Sequence, residues 1–211
     1  MRITVFGATG GTGQQLVRQA LDAGHKVTAV VRNPDRLPVR HERLEVATAE
    51  VTDSEALRPA VAGSEIALSA LGAPNNKSAG IASKGTRAIL RALEAEGVHR
   101  YLAVSAVPVG PDPEGEGLFY RTVLSPLVRR VFKDVYADLT VMEQVISDSS
   151  LDWTIVRPPQ LTDGPLSGGW ERRYGGGVPR RHKISRADVA EAMLVMAGEA
   201  ETVKQVVCVA G

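Results

Sequence analysis

Residues 7–13, Gly7-Ala8-Thr9-Gly10-Gly11-Thr12-Gly13, constrain this chain more than any other stretch. The run follows a short β-branched and aromatic segment, Ile3-Thr4-Val5-Phe6. It precedes Leu16, Val17, Ala20 and Leu21, which fall at helical spacing before a stop at Gly24. A strand that turns through glycines directly into an amphipathic helix is a ready phosphate cradle. Gly7 permits the tight turn, Gly10 admits a pyrophosphate close to the backbone, and Gly13 lets helix and strand pack closely. The first-turn N–H groups and the positive end of the helix then face the anion. The spacing is G-x-x-G-x-x-G, not the G-x-G-x-x-G of long-chain dehydrogenases.

The rest of the chain alternates in the same way. Lys26 to Val31, Leu44 to Ala47, Ile66 to Leu71, Tyr101 to Val104 and Trp153 to Val156 read as strands. Between them lie helices over Ser54 to Val61 (with a Ser cap), Lys84 to Ala95 and Leu139 to Ser147. Runs such as KVTAVV, with hardly a polar break, belong to parallel strands covered on both faces. The expected fold is α/β: a Rossmann-type doubly wound parallel sheet in one domain over residues 1–211, with elaborated loops at the carboxyl ends of the strands. Two stretches break the rhythm, near 107–135 (with a flap over Pro108 to Gly117) and near 158–183. Both follow strands at the end of the sheet where such folds bind ligands, so they are expected to form the substrate side.

Composition narrows the class. With 25 Lys+Arg against 24 Asp+Glu the chain lacks the basic field of a nucleic-acid binder. One cysteine, Cys208, allows no internal disulfide, and no apolar run approaches the roughly 20 residues of a membrane span. The opening MRITVFGATGG is too poor in apolar length for a signal peptide. The four histidines have no metal-binding spacing, and no metal is expected. A cytoplasmic protein, monomeric or weakly dimeric, with a small-molecule substrate is the reading.

The second strand selects the cofactor. An acidic residue at its end would hold the ribose of NAD, but here Arg32 stands, followed by Asn33-Pro34-Asp35-Arg36. Two guanidiniums suit a 2′-phosphate, hence NADP(H).

GATGGTG, AVVRNPDR, SALG, YLAVSA, DWTIVRPPQLTDGP and ISRADVAEAML together resemble the atypical short-chain dehydrogenase/reductases. Within these, the chain is most similar to the NAD(P)-binding group containing biliverdin reductase B (flavin reductase), and to its NmrA-like relatives. The resemblance implies that Gly7, Thr9, Gly10, Gly11, Thr12 and Gly13 hold the pyrophosphate and that Arg32 and Arg36 hold the 2′-phosphate. It places Glu50 (usually Asp in relatives) and Val51 at the adenine, Leu71 and Gly72 beside the ribose, and Ser105 and Pro158 at the nicotinamide. Ser185 with Asp188 resembles a capping box.

One departure limits the analogy. Ordinary short-chain dehydrogenases use Tyr-x-x-x-Lys, whose lysine tunes the tyrosine for proton donation. Tyr136 lies near the expected place, yet Thr140 stands in the lysine position. Ser105 and Tyr136 remain the candidate catalytic residues. Hydride transfer to a flat conjugated acceptor (a flavin, quinone or biliverdin-type molecule) fits this set, because a delocalised acceptor takes its proton from water. Phe119, Trp170 and Tyr174 are candidate pocket aromatics, and Arg172, Arg173, Arg180 and Arg181 candidate contacts to an anionic substrate. The alternatives are a non-catalytic NADP(H) sensor and an epimerase-like enzyme that retains its cofactor.

Overall fold

A computed structural model describes residues 1–73, 76, 79–111, 122 and 125–211. The expected alternation is present: β1 (Arg2–Phe6), α1 (Gly11–Asp22), β2 (Lys26–Val31), β3 (Leu44–Thr48), α2 (Ser54–Val61), β4 (Ile66–Ser69), α3 (Ile81–Ala95) and β5 (Arg100–Val104). It continues through α4 (Ser125–Val131), α5 (Lys133–Ser147), β6 (Asp152–Arg157), β7 (Gln160–Thr162), β8 (Glu171–Tyr174), β9 (Lys183–Ser185), α6 (Arg186–Ala197) and β10 (Gln205–Ala210). Among the described residues one eight-stranded sheet runs β3-β2-β1-β4-β5-β6-β10-β8. Every neighbouring pair in it is parallel except β10 with β8. This is the doubly wound parallel sheet.

Strand alternation divides the core into two layers. Ile3, Val5, Ala29, Leu68 and Leu102 point to the face covered by α1 and α6, where they meet Leu16, Val17, Val189 and Met193. Phe6, Val30, Ala67, Tyr101 and Ala103 point to the other, against Leu57 of α2, Ile89 and Leu93 of α3 and Met142 of α5. Each such large apolar side chain contributes about 1.5–3 kcal/mol when fully buried. Because β4 lies on the opposite side of β1 from β2, the strand order reverses between β1 and β4. A crevice opens there at the carboxyl ends of the two strands.

Several boundaries differ from the sequence expectation. Helix α2 is capped by Asp53, not Ser54: the Asp53 carboxylate accepts the N–H groups of both Glu55 and Ala56 at 3.1 Å. Helix α3 begins at Ile81, three residues before Lys84, because Asp138 of α5 accepts the N–H groups of Ala82 and Ser83 (3.0 and 3.1 Å). Helix α5 begins at Lys133, so Tyr136 lies inside it. The stretch near 158–183 is not wholly loop, since β7 pairs with β9 and β8 forms the antiparallel edge on β10. The stretch near 107–135 contains α4 and the first turn of α5. Most of the expected Pro108–Gly117 flap, and Phe119, lie outside the described residues.

Candidate functional site

The glycine run closes a tight cradle at the crevice. Gly7 sits at φ +71°, and a Cβ there would come within 2.7 Å of the Ala70 carbonyl oxygen, so only glycine lets the end of β1 lie against the chain leaving β4. A Cβ on Gly13 would stand 2.1 Å from the Gly7 oxygen, and one on Gly10 would stand 3.3 Å from it. The Gly10 N–H donates to Gly7 at 2.9 Å, and the Gln14 side chain donates to the Thr9 carbonyl at 3.0 Å, fixing the loop from within. Gly10 is the N-cap of α1 and offers no side chain to the first-turn N–H groups. Those donors are left for an anion. The cradle therefore fits a dinucleotide diphosphate. Gly11 has a further role, because the Arg186 side chain crosses the place where its Cβ would be, with Cδ 2.5 Å away.

The expected adenosine contacts stand at and after the ends of β2 and β3. Asn33 caps a short 3-10 turn over Pro34–Arg36 by accepting the Asp35 N–H at 2.9 Å. Arg32 and Arg36, on either side of Asn33-Pro34-Asp35, are both exposed. Among the described residues neither guanidinium has an ion-pair partner. Val51 is buried and Leu71 half-buried; a Cβ on Gly85 of α3 would lie 3.3 Å from a Val51 methyl and 3.0 Å from a Leu71 methyl. Gly85 thus draws Val51 and Leu71 to one wall. Glu50 is exposed beside them, and Gly72 faces open space.

The ends of β5 and β6 hold a different kind of site. Ser105 is buried, its N–H donates to the Val156 carbonyl at 2.7 Å, and its hydroxyl donates to the Glu143 carboxylate of α5 at 2.5 Å. The same carboxylate receives Arg157 through Nε at 2.9 Å and through a second, shorter contact. The side chains of Arg157 and Glu143 are only 12% and 10% exposed, so this is a buried ion pair with a serine attached. Burial works against the Arg157 charge, but the adjoining carboxylate more than offsets it and raises the guanidinium pKa. The Gly110 backbone lies over the pair, because a Cβ there would be 2.2 Å from Arg157. Pro158 is buried next to it, and its carbonyl accepts the Val107 N–H at 2.9 Å. Cys208 pairs with Arg157 across β10 and β6, and burial pushes its thiol up to about 11.

Helix α5 carries Tyr136 seven residues before Glu143, on the same side of the helix. Tyr136 is half-buried and meets Phe132 edge-on, with ring centroids 6.0 Å apart. Thr140, in the lysine position, turns its hydroxyl back to the Tyr136 carbonyl at 2.9 Å.

Helix α6 holds the 160–170 segment at three points. Asp188 accepts the N–H groups of Ser167 (2.8 Å) and Gly168 (3.0 Å) and the hydroxyls of Ser167 and Ser185. Burial alone would raise its carboxyl, but these hydrogen bonds hold it below its ordinary value. Glu191 accepts the Trp170 indole N–H at 2.8 Å, and Asp163 accepts Arg186 at 2.6 Å. The Ser185–Asp188 pair is half of a capping box: Ser185 accepts the Asp188 N–H at 2.9 Å, but the Asp188 carboxylate turns to the loop. Trp170 is thereby committed to anchoring, while Tyr174 is 44% exposed on edge strand β8. Arg172 is paired with Glu199 and Glu201, and Arg181 with Glu171.

A family model described as NAD(P)H-binding matches residues 7–200. The chain belongs to the NAD(P)H-binding family. The expected nicotinamide dinucleotide cofactor agrees with this membership. The family member is 28% identical over 161 residues to photosystem II assembly factor Ycf39 of Cyanophora paradoxa, covering 74% of this chain and 44% of the relative. It is also 28% identical over 165 residues to a (4-alkanoyl-5-oxo-2,5-dihydrofuran-3-yl)methyl phosphate reductase of Streptomyces griseus, covering 78% of this chain and 50% of the relative. It thus spans about half the length of these curated relatives. Among solved structures, a wide-type short-chain dehydrogenase/reductase from Veillonella parvula in complex with NADP superposes with a TM-score of 0.81 at 22% identity, covering 100% of this chain and 94% of that one. No helix among the described residues is long and apolar enough to cross a membrane.

The NAD(P)H-binding fold brings Gly7, Gly10, Gly13, Leu71 and Val51 round one crevice and sets Ser105 and Pro158 together at the ends of β5 and β6. Glu143, Arg157, Gly85 and Arg186 were not anticipated as parts of a site. Glu143 had one faint signal, its seven-residue spacing from Tyr136 on a helix; nothing in the sequence pairs it with Arg157.

Proposed function

We propose that this protein is an NADPH-dependent reductase that passes hydride to a flat, conjugated small molecule of the flavin, quinone or biliverdin type. The observation that carries this reading is the state of the proton donors at the ends of β5 and α5. Thr140 replaces the lysine and bonds to its own helix, and the Ser105 proton is given to buried Glu143. Neither is arranged to protonate an alkoxide. A delocalised acceptor does not need that, since its charge spreads over the ring system and water completes the protonation.

In this reading the backbone of Gly7, Thr9, Gly10, Gly11, Thr12 and Gly13 holds the diphosphate, and Arg32 with Arg36 grips the 2′-phosphate. Val51 with Glu50 borders the adenine, and Leu71 with Gly72 passes the ribose. Ser105, whose lone pairs stay free when its proton is committed, accepts an N–H from the nicotinamide amide, and Pro158 packs beside that ring. Tyr136 meets the acceptor without the lysine four residues on that would tune its hydroxyl, since Thr140 stands there. When bound, NADPH supplies the hydride; the protein supplies orientation and exclusion of side reactions. On these residues we place the chain with the flavin and biliverdin reductases.

The test is turnover of NADPH by the purified protein with FMN, a quinone and biliverdin, followed at the nicotinamide absorbance band. Oxidation with one or more acceptors supports the reading, and none with a broad panel overturns it. A cofactor-sensing role without turnover is the second reading, favoured by the relative named as an assembly factor. Unequal affinity for oxidised and reduced cofactor, together with a protein captured from the native lysate, would support that alternative.

A further inference from the structure

The Arg186–Asp163 contact stands apart from the other two ties between α6 and the 160–170 segment. Asp188 is buried and saturated with hydrogen bonds, and Trp170 is half-buried against Glu191. The Arg186 side chain, by contrast, is 31% exposed and that of Asp163 90% exposed, so solvent competes freely for the pair. Only one of the five N–H donors of Arg186 is engaged among the described residues. Its stem nevertheless runs directly over the phosphate cradle, with Nε 2.9 Å and the guanidinium carbon 3.8 Å from the place of a Gly11 Cβ. The position is enforced, because Arg186 opens α6, and α6 is tied to α1 by the Gln19 side chain donating to the Ala187 carbonyl at 2.9 Å. A guanidinium with four idle donors, held beside the uncapped N-terminus of α1, is placed to meet an anion.

We propose that Arg186 is a third guanidinium of the dinucleotide site, binding the diphosphate, and that Asp163 competes with the diphosphate for it. In the free protein Asp163 takes one donor and partly neutralises the charge. With the dinucleotide in the cradle Arg186 turns its fork to phosphate oxygens, a better bidentate partner than one exposed carboxylate. Gly11 is then a glycine for two reasons: to spare the backbone N–H a covering side chain, and to leave the Arg186 stem its path. The inference rests on the diphosphate lying in the glycine cradle.

The experiment is calorimetric titration of the full chain with NADPH, for wild type, Arg186→Met, Asp163→Asn and the double variant. Arg186→Met is expected to weaken binding about tenfold, the scale of one charge-assisted contact. Asp163→Asn is expected to tighten it about threefold, and the double variant to match Arg186→Met. A gain at Asp163→Asn cannot come from a damaged fold, so the opposite signs protect the test against misfolding. If both single variants bind as wild type does while Arg32→Glu still weakens binding, the role of Arg186 is overturned and the cradle stands. If wild type binds no NADPH, the cradle reading falls and this inference with it.

Discussion

The two ends of the crevice are built on opposite principles. At the β1–α1–β2 end the contacts are local: Gly10 to Gly7, Gln14 to Thr9, Asp35 to Asn33. The charges there, Arg32 and Arg36, are exposed and, among the described residues, unpaired. At the β5–α5–β6 end the contacts join residues 38 and 14 positions apart, and the charges are buried on each other. A charge left open at the surface costs the fold nothing and keeps its binding capacity for a ligand. A buried pair is committed to structure, because removing one partner strands the other in a poor solvent. Substitutions should therefore separate: binding is lost at the first end, stability at the second.

The sharpest way to break this contrast is Glu143→Leu. It leaves Arg157 uncompensated beneath Gly110 and should cost about 3–5 kcal/mol of stability. The thermal midpoint reads it. Adding Arg157→Met should restore most of the loss, since a well-packed apolar pair replaces a buried ionic one with little penalty. A single variant as stable as the double would mean the pair is not buried in solution.

Next in size are the glycines, which sharpen the contrast within one loop. Gly13→Val drives a side chain into the Gly7 carbonyl and should cost about 1–3 kcal/mol in addition to dinucleotide binding. Gly10→Val, with its 3.3 Å contact, should lose binding while costing only about 1 kcal/mol at an N-cap. Calorimetry beside thermal unfolding distinguishes the two. Equal destabilisation by both would show that the loop is one rigid unit, without a separable ligand face.

The same contrast explains what could be read from the sequence. The glycine run and the alternation are legible because each depends on residues a few positions apart. Where a partner came from afar, the reading failed. Asp138 starts α3 early from more than fifty residues away, and β8 exists only because β10 offers it an antiparallel edge inside a glycine-rich stretch. Asp53 and Ser54 are both good caps, and only backbone geometry chooses between them. Glu143 and Arg157 have the composition of ordinary surface residues; the fold buries them. Arg186 sits in a motif that already had a structural role as a helix start, which hid its second neighbour, Gly11.

Smaller in scope is the cofactor preference, carried by the exposed end alone. Arg32→Glu should weaken NADPH by about 1–3 kcal/mol and NADH far less, with the thermal midpoint unmoved. Titrations with both cofactors check it. Equal loss for the two would show that Arg32 does not grip the 2′-phosphate.

The smallest effect falls on the 160–170 segment, where a buried carboxylate serves as a local clamp. Hydrogen bonds from Ser185, Ser167 and Gly168 hold the Asp188 pKa below its ordinary value of 3.8, overcoming a burial effect of opposite sign. A depressed carboxylate contributes stability that is fully present above the unfolded value and disappears as pH falls through the folded one. The Ser167 and Gly168 amides should therefore keep constant chemical shifts at neutral and mildly acid pH and move only below about 3.8. Asp188→Asn should remove that acid transition, while the amides of Asn33, Asp35 and Arg36 at the other end show no dependence on the substitution. An acid transition at Ser167 and Gly168 that survives Asp188→Asn would assign the clamp to another group.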